Sequence, residues 1–162
     1  MNADWRTRYE VAIDAAQKAG RLALEHFDNN VQVEWKEDRS PVTVADRKAE
    51  AALKEALLAK FPQDGFLGEE SGNTPGSSGY RWIVDPIDGT RNFVRGIPIW
   101  ATLVGLEYKG EQIAGVCYLP AMEQMNDYDV GGLKVSFNPT DHQGLKNCYI
   151  YLLEAGKISL VK

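Results

Sequence analysis

Hydrophobic and polar positions follow two different periods along this chain. Over residues 4–27 small apolar side chains recur every three or four positions, which is the spacing of one helix face. Residues 43–61 repeat this spacing, and Thr43 with Asp46 three positions later forms a capping pair at the start. The pattern therefore predicts two helices, at about residues 5–27 and 43–61.

Alternation with a period of two predicts the strands. Apolar and polar side chains alternate over residues 31–35, and Lys-Gly-Glu separates the apolar runs 101–108 and 112–118, which is a hairpin pattern. Two shorter strands are expected at 66–67 and 82–85. These elements favour an α+β fold in which the helices pack on one face of a mostly antiparallel sheet.

Two stretches carry no clear packing pattern. Residues 72–79 are rich in Gly, Ser and Pro and are expected to form a mobile loop. After residue 120 the periodicity weakens, although 133–137 and 148–153 are candidate strands. We therefore expect one metal- and phosphate-binding α+β domain over residues 1–120 and a divergent C-terminal remnant over 121–162.

Composition narrows the classes of partner. The 162 residues carry a formal net charge of −5, which argues against general binding to nucleic acid or to an anionic membrane surface. No apolar run approaches the length of a membrane span. The two cysteines, Cys117 and Cys148, form no Cys-x-x-Cys pair, so we expect a reducing cytoplasm rather than a disulfide framework.

Two aspartates follow the apolar residues Trp82–Val84 at a tight turn. Pro86 cannot donate to a strand ladder, so the strand is expected to end at Asp85. A turn started by this proline can aim the carboxylates of Asp85 and Asp88 at one point. Two carboxylates brought together repel each other unless a proton or a cation lies between them.

The residues around these aspartates decide which ligand is expected. Hard oxygen ligands favour Mg²⁺, Mn²⁺ or Ca²⁺ over zinc. Gly89 and Thr90 follow at once and offer unhindered backbone N–H groups and a hydroxyl, which suit a phosphate group. The alternative is an ordinary surface turn, in which Asp85 caps the strand end and Asp88 with Gly89 closes the turn.

Three further acidic residues have both a structural and a chemical interpretation. Asp46 is either the capping partner of Thr43 or a carboxylate at the rim of a metal site, and the local pattern leaves both open. Glu69 and Glu70 are adjacent, which is typical of a solvated surface. They follow a buried strand and Gly68, so one of them is a candidate for an inward-facing carboxylate.

Three segments of the sequence together resemble the inositol monophosphatase family. Lys36 followed by Pro41–Asp46, then Gly68–Ser71, and then Trp82–Phe93 are similar to three family motifs in the family's order. Three ordered motifs are far more specific than one, and the resemblance covers about residues 5–120. The continuation over 91–103 is most similar to family members that act as histidinol-phosphatases.

The resemblance implies a role for each site residue. It implies two Mg²⁺ ions with Asp85 bridging them, and it implies four metal-binding positions: Glu69, Asp85, Asp88 and the backbone carbonyl of Ile87. Thr90 and Asp46 would orient and activate the attacking water. The remaining roles are phosphate binding by the N–H groups of Gly89 and Thr90, substrate charge recognition by Arg95, a supporting charge from Lys36, and water-mediated metal contact by Glu70.

The same resemblance implies an activity and an architecture. The activity is Mg²⁺-dependent hydrolysis of a small phosphomonoester by activated water, with histidinol phosphate as the first candidate and inositol monophosphate as the second. The architecture is a layered α/β sandwich, and assembly into a homodimer stays open. In the family, an Asp in a Trp-Asp-x-Ala motif of a second α/β domain completes the second metal site.

No such motif follows Trp100 in this sequence. We therefore expect the second domain to be largely missing, and a metal count of two or one stays open. An inactive fragment that still binds metal and phosphate is the alternative from another class of function.

Overall fold

The computed structural model describes residues 3–27, 33–35, 41–123, 128–129, 134–135, 151–154 and 157–160. Within residues 3–123, two long helices pack against each other and against a five-stranded sheet. This arrangement confirms the predicted α+β class. No helix in the described part of the chain is long and apolar enough to cross a membrane.

The two helices begin and end close to their predicted limits. Helix α1 spans Ala3–Leu24 and helix α2 spans Val44–Lys60. The predicted capping pair is present, because the Thr43 side chain accepts from the first-turn N–H groups of α2 while Asp46 accepts from Thr43. Alanines line the buried face of α1, at positions Ala12, Ala15, Ala16, Ala19 and Ala23.

The five strands form one mixed sheet. The strands are β3 (Gly65–Gly68), β4 (Gly72–Thr74), β5 (Tyr80–Asp88), β6 (Ala101–Tyr108) and β7 (Glu111–Tyr118). Their order is β4-β3-β5-β6-β7, and β3 with β5 is the parallel pair while the other pairs are antiparallel. The expectation of a mostly antiparallel sheet and of a β6–β7 hairpin is therefore confirmed. Trp82 of β5 and Phe66 of β3 are fully buried in the core beneath the helices.

The remaining elements are short. Strands β1 (Val33–Trp35) and β2 (Pro41–Thr43) pair antiparallel, as do β8 (Tyr128–Asp129) with β9 (Lys134–Val135) and β10 (Tyr151–Glu154) with β11 (Lys157–Leu160). Helix α3 (Thr90–Val94) follows β5, and helix α4 (Pro120–Glu123) follows β7. Lys36 lies outside the described residues.

The prediction that β5 ends at Asp85 is wrong. The strand continues to Asp88, with Asp85 opposite Leu103 and Asp88 opposite Ala101. Two residues of β5 therefore face one residue of β6, which is a β-bulge. A bulge is one of the few places where a sheet accepts proline, because the missing N–H leaves no ladder partner unpaired there.

The prediction of a loop over all of 72–79 is wrong for its first part. Its first three residues form β4, and the N–H groups of Ser77 and Ser78 both donate to the Gln63 carbonyl at 2.8 and 3.1 Å. Gly76 lies directly on the backbone of residues 63–65, where a Cβ atom would stand 2.1 Å from the Gly65 nitrogen. Gly76 therefore allows the backbone of this segment to pack closely on residues 63–65.

Replacement of Gly76 by alanine tests this packing. We expect Gly76→Ala to lower the free energy of unfolding by about 1–3 kcal/mol, because the backbone beside it must move to admit the methyl group. Gly115→Ala is the matched control, because the nearest atom to its Cβ would be 3.8 Å away. Urea denaturation of both variants measures the difference, and equal midpoints would contradict the packed segment.

Candidate active site

The bulge in β5 decides where its two aspartates point. From Tyr80 to Val84 the even-numbered residues are buried, and Pro86 and Ile87 are then buried in succession. If the alternation continued without a bulge, Asp88, as an even-numbered residue, would point to the buried side. The bulge instead leaves Asp88 exposed, and regular alternation already leaves Asp85 partly exposed, so both carboxylates reach solvent at the end of the strand.

Two hydrogen bonds hold the bulge. The Ile87 N–H donates to Oδ1 of Asp85 at 3.1 Å. The hydroxyl of Thr102, which is fully buried on β6, donates to the Pro86 carbonyl at 2.9 Å. The Thr102 hydroxyl thus satisfies a carbonyl that has left the regular ladder.

Glu69 reaches the same point from the neighbouring strand. Strand β3 runs parallel to β5, with Gly68 paired with Val84, so the residues that follow each strand meet at one edge. The pKa of Asp85 is raised to about 7, first by burial, and then by the negative charges of Glu69 and Asp88. These three carboxylates therefore lie close enough to repel one another.

A buried glutamate lies beneath this edge. Both carboxylate oxygens of Glu50, on helix α2, accept hydrogen bonds of 2.7 Å, one from the N–H of Glu70 and one from the N–H of Ser71. Gly68 leaves space for this carboxylate, because a Cβ atom there would stand 2.4 Å from Oε1 of Glu50. The turn that carries Glu69 thus rests on a charged side chain that is 2% exposed.

Asp46 completes the helix cap and also lies within reach of Thr90. Its Oδ2 atom accepts from the N–H and the hydroxyl of Thr43, at 2.7 and 2.6 Å, and completes the cap. Its Oδ1 atom lies 3.4 Å from the hydroxyl of Thr90. Burial raises the pKa of Asp46 and the charge of Glu69 adds to that rise, while the Thr43 hydrogen bonds lower it.

The hydroxyl of Thr90 lies between two acceptors. It donates to the Ile87 carbonyl at 3.0 Å, and Oδ1 of Asp46 is the second acceptor within reach. A hydroxyl has one proton to donate and two lone pairs with which to accept. Thr90 can therefore donate its proton to either acceptor, Ile87 or Asp46, and accept a hydrogen bond from a third group.

Gly89 shapes the entry to this site. Its φ of +90° lies in the left-handed region, and an added Cβ would stand 3.3 Å from the Ile99 carbonyl. The side-chain amide of Asn92 donates to that same carbonyl at 2.8 Å. The chain can therefore turn sharply from β5 into α3, with Thr90 as the first helical residue.

The remaining predicted residues occupy different surroundings. Arg95 is exposed at the C-terminal end of α3, and Glu70 is half-buried above Glu50. Two residues that hold the site, Glu50 and Thr102, were not among the sequence predictions. Glu50 falls on the apolar face of α2, where a glutamate is unusual, and that position is the one signal of its role.

The donor set at this edge suits a hard divalent cation. Carboxylate and carbonyl oxygens are the ligands that Mg²⁺ takes in proteins, and Asp85, whose pKa is raised by burial and by the charges of Glu69 and Asp88, lies among them. Within the described ranges, no three carboxylate, imidazole or thiolate groups lie close enough to form a complete cage. Mg²⁺ does not require one, because it keeps several waters and is held by one or two carboxylates with substrate phosphate.

Comparison with known proteins agrees with the motifs in sequence and in structure. The profile of the inositol monophosphatase family matches residues 4–143, so the chain belongs to that family. A histidinol-phosphatase from Chlorobaculum parvum is 42% identical over 123 residues, which are 75% of this chain and 48% of that protein. An inositol-1-monophosphatase from Mesorhizobium japonicum is 45% identical over 125 residues, which are 75% of this chain and 47% of that protein.

A solved structure shares the fold. The extragenic suppressor protein suhB from Bartonella henselae superposes with a TM-score of 0.66 at 43% identity, over 69% of this chain and 45% of that one. The chain thus spans about half the length of the relatives that it matches. The relatives bear two substrate names, so the comparisons give the family and leave the substrate undetermined.

Removal of one hydroxyl tests the support of the bulge. We expect Thr102→Val to lower the free energy of unfolding by about 1–3 kcal/mol, because the buried Pro86 carbonyl loses its donor. Thr74→Val is the control, because the half-buried Thr74 hydroxyl accepts a hydrogen bond from the Lys54 ammonium group. It should lower the free energy of unfolding by less than about 1 kcal/mol. Urea unfolding measures both variants, and an equal loss would remove Thr102 from the account of the bulge.

Proposed function

We propose that this chain contributes the cation- and phosphate-binding part of a Mg²⁺-dependent phosphomonoesterase. The observation that carries the proposal is the grouping of Glu69, Asp85 and Asp88 at one sheet edge, where burial and the charges of the other two carboxylates raise the pKa of Asp85. A fourth carboxylate, Asp46, lies beside Thr90 at the same edge. Such a group of negative charges is stable when a cation lies between them.

The cation would be held by Glu69, Asp85, Asp88 and the backbone carbonyl of Ile87. When bound, Mg²⁺ supplies charge stabilisation for phosphate oxygens and makes a water molecule more acidic. The family resemblance suggests two such ions. The donor set supports at least one, with water and substrate oxygens completing its coordination.

Thr90 and Asp46 would handle the proton of the attacking water. The Thr90 oxygen accepts that proton while its own hydroxyl proton passes to Oδ1 of Asp46. Because Oδ2 is held by the helix cap, the Asp46 carboxylate keeps a fixed orientation. Its raised pKa brings its proton affinity closer to that of a general base working near neutral pH.

The phosphate and the rest of the substrate would contact the residues that follow β5. The N–H groups of Gly89 and Thr90 would bind phosphate oxygens, and Arg95 would contact a charged group of the substrate from the exposed end of α3. Lys36 would add a positive charge near the phosphate. A reducing cytoplasm is the compartment that we propose.

Histidinol phosphate is the first candidate substrate and inositol 1-phosphate is the second. The histidinol-phosphatase and the inositol-1-monophosphatase among the relatives support one candidate each. The sequence after the bulge, residues 91–103, favours the first.

A non-catalytic role is the second candidate function. The chain spans about half the length of its relatives, and the described residues hold no complete three-ligand cage. A protein of this kind would bind a cation and phosphate without turning substrate over. Turnover and cation binding must therefore be measured separately.

Phosphate release tests the proposed activity. We expect the chain to release phosphate from histidinol phosphate or inositol 1-phosphate when Mg²⁺ is present and not when it is chelated. Asp85→Asn should reduce the rate at least about 100-fold, because the cation loses a charged ligand while the side chain keeps its shape. Asp14→Asn, on the exposed face of α1, is the control that should leave the rate unchanged.

The outcomes separate the two functions. Mg²⁺-dependent turnover that is lost in Asp85→Asn and kept in Asp14→Asn supports the phosphatase and names its substrate. Calorimetric Mg²⁺ binding without any turnover supports the non-catalytic role. Turnover that survives in Asp85→Asn would contradict the assigned metal site.

A further inference from the structure

Glu50 is a charged residue in a position that a charge rarely occupies. It lies on helix α2 at 2% exposure, on the helix face that also buries Leu53 and Leu57. Glutamate is almost never so buried unless its carboxylate has partners. Here both carboxylate oxygens have one, in the N–H groups of Glu70 and Ser71 at 2.7 Å each.

These partners belong to the turn that carries Glu69. The two N–H donors directly follow Glu69, and Gly68 directly precedes it. The carboxylate of Glu50 occupies the space that a side chain at position 68 would fill, at 2.4 Å from its Cβ atom. Contacts from one buried group therefore fix the backbone on both sides of Glu69.

We propose that Glu50 is a positioning residue that aims the carboxylate of Glu69 at Asp85 and at the cation between them. A carboxylate can accept one N–H group at each of its two terminal oxygens, which an amide of the same shape cannot do because one of its terminal atoms is a donor. Glu50 therefore holds the turn in one orientation before the cation binds. Cation binding then does not include the entropic cost of ordering the turn that carries Glu69. This inference rests on the proposed function, because it assigns Glu50 to the same cation site.

The exchange of backbone amide hydrogens tests the contact without metal or substrate. In Glu50→Gln one of the two N–H groups loses its acceptor while the side-chain volume is kept. We expect the amide of Glu70 or Ser71 to exchange about tenfold faster than in the wild-type chain. NMR-detected exchange of the metal-free protein measures this.

Cation affinity tests the consequence for the site. Paramagnetic Mn²⁺, followed by electron spin resonance, serves as the probe for Mg²⁺. We expect its dissociation constant to rise about 10–100-fold in Glu50→Gln, the range typical of groups that orient metal ligands.

Gly68→Ala should raise the Mn²⁺ dissociation constant with the charge of Glu50 unchanged, because its methyl group displaces the carboxylate from the turn. This second variant separates orientation of Glu69 from simple loss of negative charge. Leu57→Ala controls for general destabilisation of α2. This variant should lower the melting temperature, and it should leave the exchange rates of the Glu70 and Ser71 amides and the Mn²⁺ dissociation constant unchanged.

The results distinguish this inference from the proposed function. If the wild-type chain binds Mn²⁺ and both Glu50→Gln and Gly68→Ala bind it equally well, Glu50 does not position Glu69 and the proposed function stands. If the amides of Glu70 and Ser71 exchange at the wild-type rate in Glu50→Gln, the positioning role also fails. If the wild-type chain binds no Mn²⁺, the proposed function fails and this inference fails with it.

Discussion

Glu69, Asp85 and Asp88 repel one another, and the surrounding structure holds them together against that repulsion. Folding brings these carboxylates to one edge of the sheet, where burial and mutual repulsion raise the pKa of Asp85 to about 7. A site of this kind is costly to hold without a cation, and the cost is the reason to interpret it as functional. The scaffold must therefore oppose the tendency of these side chains to move apart.

The scaffold achieves this with neutral hydrogen-bond donors. The Ile87 N–H holds Asp85, the Thr43 N–H and hydroxyl hold Asp46, and the turn after Glu69 is held through its own N–H groups. Such donors fix the direction of a carboxylate and leave its charge available to a cation, whereas a lysine or arginine partner would neutralise it. The bulge in β5 and the glycine at position 68 supply the geometry that these bonds require.

How far the sequence predicts this arrangement depends on the separation of the partners along the chain. The Thr43–Asp46 cap and the β6–β7 hairpin are local, and the sequence predicts them. The continuation of β5 through Pro86 depends on Thr102, sixteen residues further on. The packing of residues 72–79 depends on contacts with the backbone at 63–65. The support of the Glu69 turn depends on Glu50, which lies twenty residues before its partner Glu70. Hydrophobic periodicity and secondary-structure propensity are local properties, so they carry no information about such contacts. The motif resemblance does name the carboxylates that the structure brings to one edge, and the roles that it implies for them, for Thr90 and for Lys36 stay predictions.

Thermal unfolding with and without Mg²⁺ shows whether a cation relieves the repulsion at this edge. We expect Mg²⁺ at about 100 times its dissociation constant to raise the melting temperature of the wild-type chain by about 5–10 °C. We also expect that Asp85→Asn melts higher than the wild-type chain when no metal is present, and that Mg²⁺ adds nothing further to it. A wild-type chain that does not respond to Mg²⁺, or a metal-free Asp85→Asn that melts lower than the wild-type chain, would contradict the account.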